Sequence, residues 1–330
     1  MNETIRLGML RLSDAAPVVV ADRQGIFKRA GLDVEICVEP SWANIADKLG
    51  YGLLDGAVML PPLAIACALG LRGRRTSLVV PLSLSANGNA LTLAMACRAE
   101  FAAGGIQALA RRRKLRLAVV HAYSTHDLLL RYWLAAHGVA PEAEVEIKVL
   151  SPSEMVSSLA AGAIDGFCAG APWHHVAAGA GLGFAAVTSG AIWREHPEKC
   201  LALRADFAAA DPARLRLLLG ALREACAYCA SPGNRPAVAA LLARPEYLDL
   251  PREMIEASLD PAQGGPLFDL NYPSPQRAAW FATQMRRWGK AGEDALAVTA
   301  SLYRPDMYLE AGGLEVVAAA EMFCDSVASG

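Results

Sequence analysis

An excess of charge of either sign is missing from this chain: 31 lysines and arginines face 33 aspartates and glutamates, for a formal net charge of -2. Such a balance gives no basic field for nucleic acid. The one cationic run, Arg111-Arg112-Arg113-Lys114, directly precedes an apolar strand pattern and reads as a solvated loop. Long apolar runs are missing as well. Hydrophobic residues make up 54% of the chain, yet no stretch reaches the ~18 to 20 uninterrupted apolar residues that a spanning helix needs. A soluble chain without a membrane span is expected. Ile5-Arg6-Leu7-Gly8-Met9 already alternates like a first strand and leaves no room for a secretory leader. The expectation that follows is a cytoplasmic protein.

Catalytic signatures are also lacking. The chain has no Gly-x-Ser-x-Gly elbow, phosphate-binding loop, Gly-x-Gly-x-x-Gly fingerprint or His-Glu-x-x-His. The eight cysteines are scattered, mostly in apolar settings, which fits reduced buried thiols rather than a disulfide framework. Cys226-Ala-Tyr-Cys229 has the Cys-x-x-Cys spacing but sits in a helical pattern with no second pair and no nearby histidine. His174-His175 reads as a surface pair, because neighbours on a helix point about 100° apart and make a poor metal clamp. No catalytic residue, metal or cofactor is expected.

What the chain does contain is a repeat. Leu49-x-x-Gly52-x-x-Asp55-Gly56, followed by Pro61, matches Leu159-x-x-Gly162-x-x-Asp165-Gly166, followed by Pro172. In each copy Gly suits a left-handed helix end, Asp-Gly enters a short apolar strand, and Pro fits the first turn of the next helix. Two related α/β lobes are implied, with strand ends facing each other like a clamshell. Around the repeats, strand and helix patterns alternate over the first two hundred residues, the mark of a largely parallel sheet. A helix is predicted over 17–30, ended by Gly31. Ser41 and Ser124 offer N-caps for two more, and Asp211-Pro212 starts a long one reaching about Ala230. The first lobe is assigned 1–86 and 200–330 and the second 87–199, with a hinge near 83–90 and 196–204.

Three places put donors at helix starts: Trp42 after Ser41, His126 after Ser124-Thr125, and Gly170 before Pro172-Trp173. Helix N-termini carry unpaired N–H groups and partial positive charge, so their convergence would favour a small anion, with Lys199 adding a fixed cation. Read alone, each residue also fits a plain structural role. Trp42 can staple its helix to the sheet, His126 can bond to backbone, and Lys199 can be a solvated lysine.

Longer strings carry a family resemblance. Ser41 to Leu49 (SWANIADKL), Ser85 to Ala90 (SANGNA), Thr125 to Leu128 (THDL), Tyr132-Trp133-Leu134, Trp193 to Lys199 (WREHPEK) and Tyr303 to Asp306 (YRPD) resemble the nitrate- and bicarbonate-binding proteins of the NrtA/CmpA family. The likeness runs from Ile5 through Asn271-Tyr272-Pro273 and Trp280 to Tyr308. With no leader in view, the chain is most similar to the NasS-type cytoplasmic nitrate sensors, which partner a NasT-type RNA-binding antiterminator. The resemblance implies a two-lobed, type II periplasmic-binding-protein fold with the ligand cleft between the lobes. It implies that Trp42, His126 and Lys199 contact nitrate, with Asn89 where many members have Gln, and Gly170 supplying backbone.

Lys199 stands where the bicarbonate branch tends to have an acidic residue, which favours nitrate or nitrite. Nitrate is planar, singly charged and has no proton to give, so a cationic, donor-only pocket is expected. One departure is Ala171, where the family commonly has Glu. The implied function is a nitrate or nitrite sensor that releases its antiterminator partner, not an enzyme. The alternatives are the substrate-binding protein of a nitrate ABC transporter and, further off, an enzyme of thiamine-pyrimidine synthesis on the same fold, whose Cys/His-rich iron motif is missing here.

Overall fold

The structure, a computed structural model, describes residues 4–315 and 321–325. The ends assigned to the first lobe at 1–3, 316–320 and 326–330 lie outside the described residues. Eleven strands are described: β1 (Ile5–Met9), β2 (Val34–Val38), β3 (Gly56–Met59), β4 (Leu78–Asn87), β5 (Asn89–Ala94), β6 (Leu115–Val119), β7 (Val145–Val149), β8 (Gly166–Gly170), β9 (Gly183–Thr188), β10 (Pro197–Arg204) and β11 (Pro266–Leu267). They form two sheets, ordered β11-β4-β10-β3-β1-β2 and β7-β6-β8-β5-β9. Among the described residues no helix is long and apolar enough to cross a membrane.

Each sheet holds a parallel trio, β2-β1-β3 or β7-β6-β8. The sheets are nevertheless mixed, not largely parallel as the alternation predicted. β10 runs against both β3 and β4, and β5 runs against both β8 and β9. These are the two strands that arrive from the other sheet. β4 turns at Asn87 and Gly88, both at positive φ, directly into β5, and β10 brings the chain back. A strand entering from the facing sheet runs opposite to strands whose C-terminal ends point at that sheet.

The repeat has a physical basis. Asp55 Oδ2 accepts from the Arg6 N–H at 2.8 Å, and its other oxygen lies 3.4 Å from the Arg6 guanidinium. Asp165 Oδ2 accepts from the Arg116 N–H at 2.9 Å, and Oδ1 takes the Arg116 guanidinium at 2.8 Å. In both halves the carboxylate therefore pins its strand to the second residue of the preceding parallel strand, 49 positions earlier. The following glycine is required by close packing. A Cβ would lie 2.3 Å from Leu203 Cδ2 at Gly56 and 2.6 Å from the Thr92 carbonyl at Gly166. Only the proline step differs. Pro61 opens the helix Pro61–Leu69, whereas Pro172 follows a cis peptide bond and stands before the helix Trp173–Gly179. Around that bond Ala171 donates to Gly88 O and accepts from Ser13 N, so its backbone joins the two halves instead of continuing a helix.

Asp165 also pairs with Arg113 at 2.7 Å. Burial pushes its pKa up, but the hydrogen bonds from Arg116 and Arg113 outweigh this and hold the carboxyl below its ordinary value of 3.8. A depressed carboxyl stabilises the fold fully above its unfolded pKa, and that contribution disappears as pH falls through the folded one. Asp165→Asn is therefore expected to cost about 1.5–3 kcal/mol in urea titration at pH 7. The variant should also lose less further stability than the parent on acidification below about pH 4; equal losses would show that the carboxylate charge is not what matters.

Alternation along the strands feeds two apolar cores. Ala57 and Met59 face a core that continues through Leu63, Leu117, Leu128 and Phe281 across both sheets, while Val58 faces a second core with Val19, Leu203 and Leu219. The helix predicted over 17–30 is broken at Gly25, whose φ of 67° divides it into Ala16–Arg23 and Ile26–Arg29. The long helix is found as Pro212–Ala230, with Asp211 accepting from the Arg214 N–H at 2.9 Å.

Candidate functional site

Two capped helices and three strand ends build one buried polar cluster. Ser41 caps the helix Trp42–Gly50 by accepting from Asn44 N at 3.2 Å, which fixes Trp42 as its first residue. Ser124 caps the helix Thr125–Ala136 through Asp127 N at 3.0 Å and sets His126 in the first turn. Asn89 opens β5 and lies opposite Gly170, the last residue of β8. Lys199 lies on β10. Lys199 and His126 are 0% exposed and Trp42 is 2% exposed, which excludes the solvated lysine.

All five residues singled out by the sequence meet here. The Lys199 ammonium is 5.6 Å from the centroid of the Trp42 ring. A Cβ added to Gly170 would lie 3.4 Å from Asn89 Oδ1 and 3.8 Å from His126 Nε2, so the glycine backbone faces the centre of the group. Trp42 Nε1, Thr125 Oγ1, Asn89 Oδ1 and both His126 ring nitrogens are buried without a hydrogen-bond partner among the described residues. Buried polar groups are rarely left so, and their concentration at one point marks a place for a polar ligand. Burial, then the charges of Lys199 and His196, hold the His126 pKa well below its ordinary value. At neutral pH it is an imidazole with one donor nitrogen and one acceptor nitrogen.

Two carboxylates escaped the sequence reading. Lys199 Nζ lies 2.8 Å from Asp14 Oδ2 and 2.6 Å from Glu198 Oε1. Asn89 Nδ2 donates to Glu198 Oε2 at 2.6 Å, and His126 Nε2 is 3.7 Å from Glu198 Oε1. The pocket is thus not donor-only, and its lysine is matched by two acids. These acids also supply the acceptors that a bicarbonate hydroxyl needs, so the polarity of the pocket does not by itself select nitrate over bicarbonate. Glu198 was missed because neighbours on a strand should face opposite sides. The pairing of β10 with β4 slips between Pro197 and Lys199 and again before Cys200, and such a bulge turns both Glu198 and Lys199 to one site. Asp14 sits in a short 3-10 turn, Ser13–Ala15, where helical spacing predicts nothing. The signal available was Glu198 itself, inside the string that carries the resemblance.

Burial pushes the Glu198 pKa up to about 7 against the pull of Lys199. Burial also lowers that of Lys199, but Asp14 and Glu198 outweigh it, so the ammonium stays charged. Elsewhere the outcome is plainer. His174 is buried at 4% exposure, not a surface residue, because its helix packs against Arg252–Ser258. Burial and then His175 lower its pKa to about 3. Cys226 is buried and its thiol is pushed up to about 12, unsuited to redox or metal chemistry. Among the described residues no group of three or more His, Cys, Asp and Glu could hold a metal ion.

The NMT1-like family model covers residues 1–243. The nitrate/nitrite binding protein NrtA of Synechocystis sp. (strain PCC 6803) is 30% identical over 345 residues, spanning 96% of this chain and 77% of that protein. The nitrate import ATP-binding protein NrtC of the same organism is 36% identical over 92% of this chain but only 49% of its own length. Its bicarbonate transport ATP-binding protein CmpC is 39% identical over 86% of this chain and 46% of its own length. The chain therefore spans about half the length of the NrtC and CmpC relatives. Among solved structures, the periplasmic nitrate-binding protein NrtA from Synechocystis PCC 6803 superposes with a TM-score of 0.89 at 29% identity, covering 98% of this chain and 94% of that one. The alkanesulfonate-binding protein SsuA from Xanthomonas axonopodis pv. citri, at 16% identity and a TM-score of 0.71 over 90% of this chain and 97% of that one, shares the fold alone. The expected periplasmic-binding-protein-like fold is the fold found, and the chain belongs to the NMT1-like family, in its nitrate- and bicarbonate-binding group.

Proposed function

We propose that this chain binds nitrate or nitrite between two lobes, residues 1–86 with 200–330 and residues 87–199, hinged near 83–90 and 196–204. Trp42, Asn89, His126, Gly170 and Lys199 are the ligand-contacting residues. The observation that carries the reading is the convergence of unpartnered polar atoms from elements of both sheets around one buried ammonium. The site is a binding site and not a catalytic one; the NrtA relatives are named as binding proteins. In the cell the chain acts as a cytoplasmic sensor. Without nitrate an open form holds a NasT-type RNA-binding antiterminator, and nitrate favours closure and releases it. Such linkage is reciprocal, so the partner lowers nitrate affinity by the factor by which nitrate weakens the partner complex.

A second reading has equal support from the relatives: the substrate-binding component of a nitrate ABC transporter, as in the likeness to NrtA and NrtC. Titration with nitrate, nitrite and bicarbonate, followed by tryptophan fluorescence, tests the site that both readings share. Nitrate or nitrite is expected to perturb the buried Trp42, and silence from all three anions ends both readings. A pull-down of the antiterminator with and without nitrate then separates them. A complex indifferent to nitrate removes the sensor and leaves the transporter.

A further inference from the structure

We propose that Glu198 is the proton acceptor of this cleft, taking up one proton from solvent when a monovalent oxyanion without a proton of its own binds beside Lys199. The inference rests on the anion-binding reading above. Its ground is the local charge balance. Glu198 is faced by Lys199 on its own strand, by Asp14 from the Ser13–Ala15 turn, by Asn89 from β5, by His126 from the helix Thr125–Ala136 and by His196 from the preceding segment. Asp127 on the His126 helix, Cys168 on β8 and Cys200 on β10 lie further out, and Arg277 acts on His196 from the helix Pro275–Arg287.

Both histidines are neutral, held so first by burial, with His196 lowered to about 3. Cys168 and Cys200 are thiols, since burial raises both. That leaves one ammonium against two carboxylates in a site with no exposed side chain. A further anion would bring a second uncompensated negative charge into a dehydrated space, where like charges repel most strongly. The proton cancels it. Protonated, Glu198 also stops competing for the Lys199 N–H groups, which turn to the anion, while Asp14 stays as the counter-ion.

The direction of the pH effect follows. The Glu198 carboxyl is raised to about 7 in the free protein. Below that pH it already carries the proton and affinity is flat. Above it each anion must bring a proton, so affinity falls ~10-fold per pH unit.

Calorimetric titration of the full chain with nitrate, in pairs of buffers of different ionisation enthalpy from about pH 5.5 to 9, reads the proton count directly. The expected result is a flat affinity at low pH, a ~10-fold loss per unit at high pH and uptake approaching one proton per nitrate. E198Q should bind nitrate with no slope and no uptake, and more tightly than the parent at the alkaline end. Infrared difference spectra should show a new protonated-carboxyl band on adding nitrate to the parent at alkaline pH, absent from E198Q; this arm needs only the parent protein if the variant fails to fold. Nitrate binding with no pH slope and no proton uptake overturns the proposal while leaving the anion site intact. No binding of nitrate, nitrite or bicarbonate at any pH overturns the anion reading itself.

Discussion

Lys199→Ala is expected to weaken nitrate binding by at least ~100-fold, the scale for removing one partner from a buried charged site. It is also expected to destabilise the fold by about 3–5 kcal/mol, because breaking a buried ion pair leaves uncompensated charge behind. Two carboxylates lean on this ammonium, at 2.6 Å and 2.8 Å, and neither is exposed to water that could replace it. Part of the loss is recovered by protonation. Glu198, already raised to about 7, would become neutral and leave Asp14 as the stranded charge. The double variant Lys199→Met with Glu198→Gln separates the two effects. Removing one carboxylate and restoring apolar volume should return much of the stability, since such neighbours are not additive. Nitrate binding should stay lost. Parent-like affinity in the double variant, measured by calorimetry beside denaturant titration, would show that the anion is anchored elsewhere.

The strongest sequence signals were local ones. Ser41 and Ser124 act as the N-caps their positions suggested, and the left-handed glycines Gly52 and Gly162 stand at matching helix ends. The repeat was legible because one bond, Asp55 or Asp165 to the strand before it, imposes the same residues twice. Whatever depends on chain direction between the sheets was not. The reversal of β5 and β10, the bulge that brings Glu198 beside Lys199, and the burial of His174 under a distant helix are tertiary facts with no short-range pattern. The meeting of Trp42, Asn89, His126 and Lys199 was carried by the family strings, and Gly170 by its place before a helix start, because residues so far apart in sequence share no spacing rule. The charge of the site was misjudged for a specific reason. Strand alternation sends Glu198 away from the cleft, and only the irregular pairing of β10 returns it.

The residues of that resemblance have a second use, which Trp193→Ala exposes. Trp193 is 1% exposed and precedes β10 at the second crossing. Its ring centroid lies 4.5 Å from that of Trp280 on the helix Pro275–Arg287, 5.7 Å from Phe281 and 5.3 Å from the stacked Phe323. Tyr132, from the helix that carries His126, closes the group against Trp280 at 5.7 Å. Arg277 sits over the Trp193 ring at 5.5 Å, and the indole N–H donates to Glu321. The cluster thus ties an element that follows the second sheet to a helix packed on both Pro61–Leu69 and the His126 helix. Truncating so large a buried aromatic should cost about 3–5 kcal/mol in denaturant titration.

The effect on binding should be smaller. His196 lies 6.0 Å from the Trp193 ring and 3.7 Å from Glu198, so the cavity reaches the cleft only through one intervening side chain. A change in nitrate affinity of roughly 10-fold or less is expected, about one 1.4 kcal/mol step. Lys199→Ala removes binding and stability together, whereas Trp193→Ala should remove stability and spare most of the binding. Trp193→Phe, which keeps an aromatic ring but loses the indole N–H, should fall between the parent and Trp193→Ala. If Trp193→Ala costs under about 1 kcal/mol, below the range for buried aromatic truncations, the aromatic group does not hold the two halves together. The seam then lies in the rest of the shared apolar core, Leu128 and Phe281 included, and in the polar contacts Ser13 to Ala171 and Lys290 to Asp127 that also cross between them.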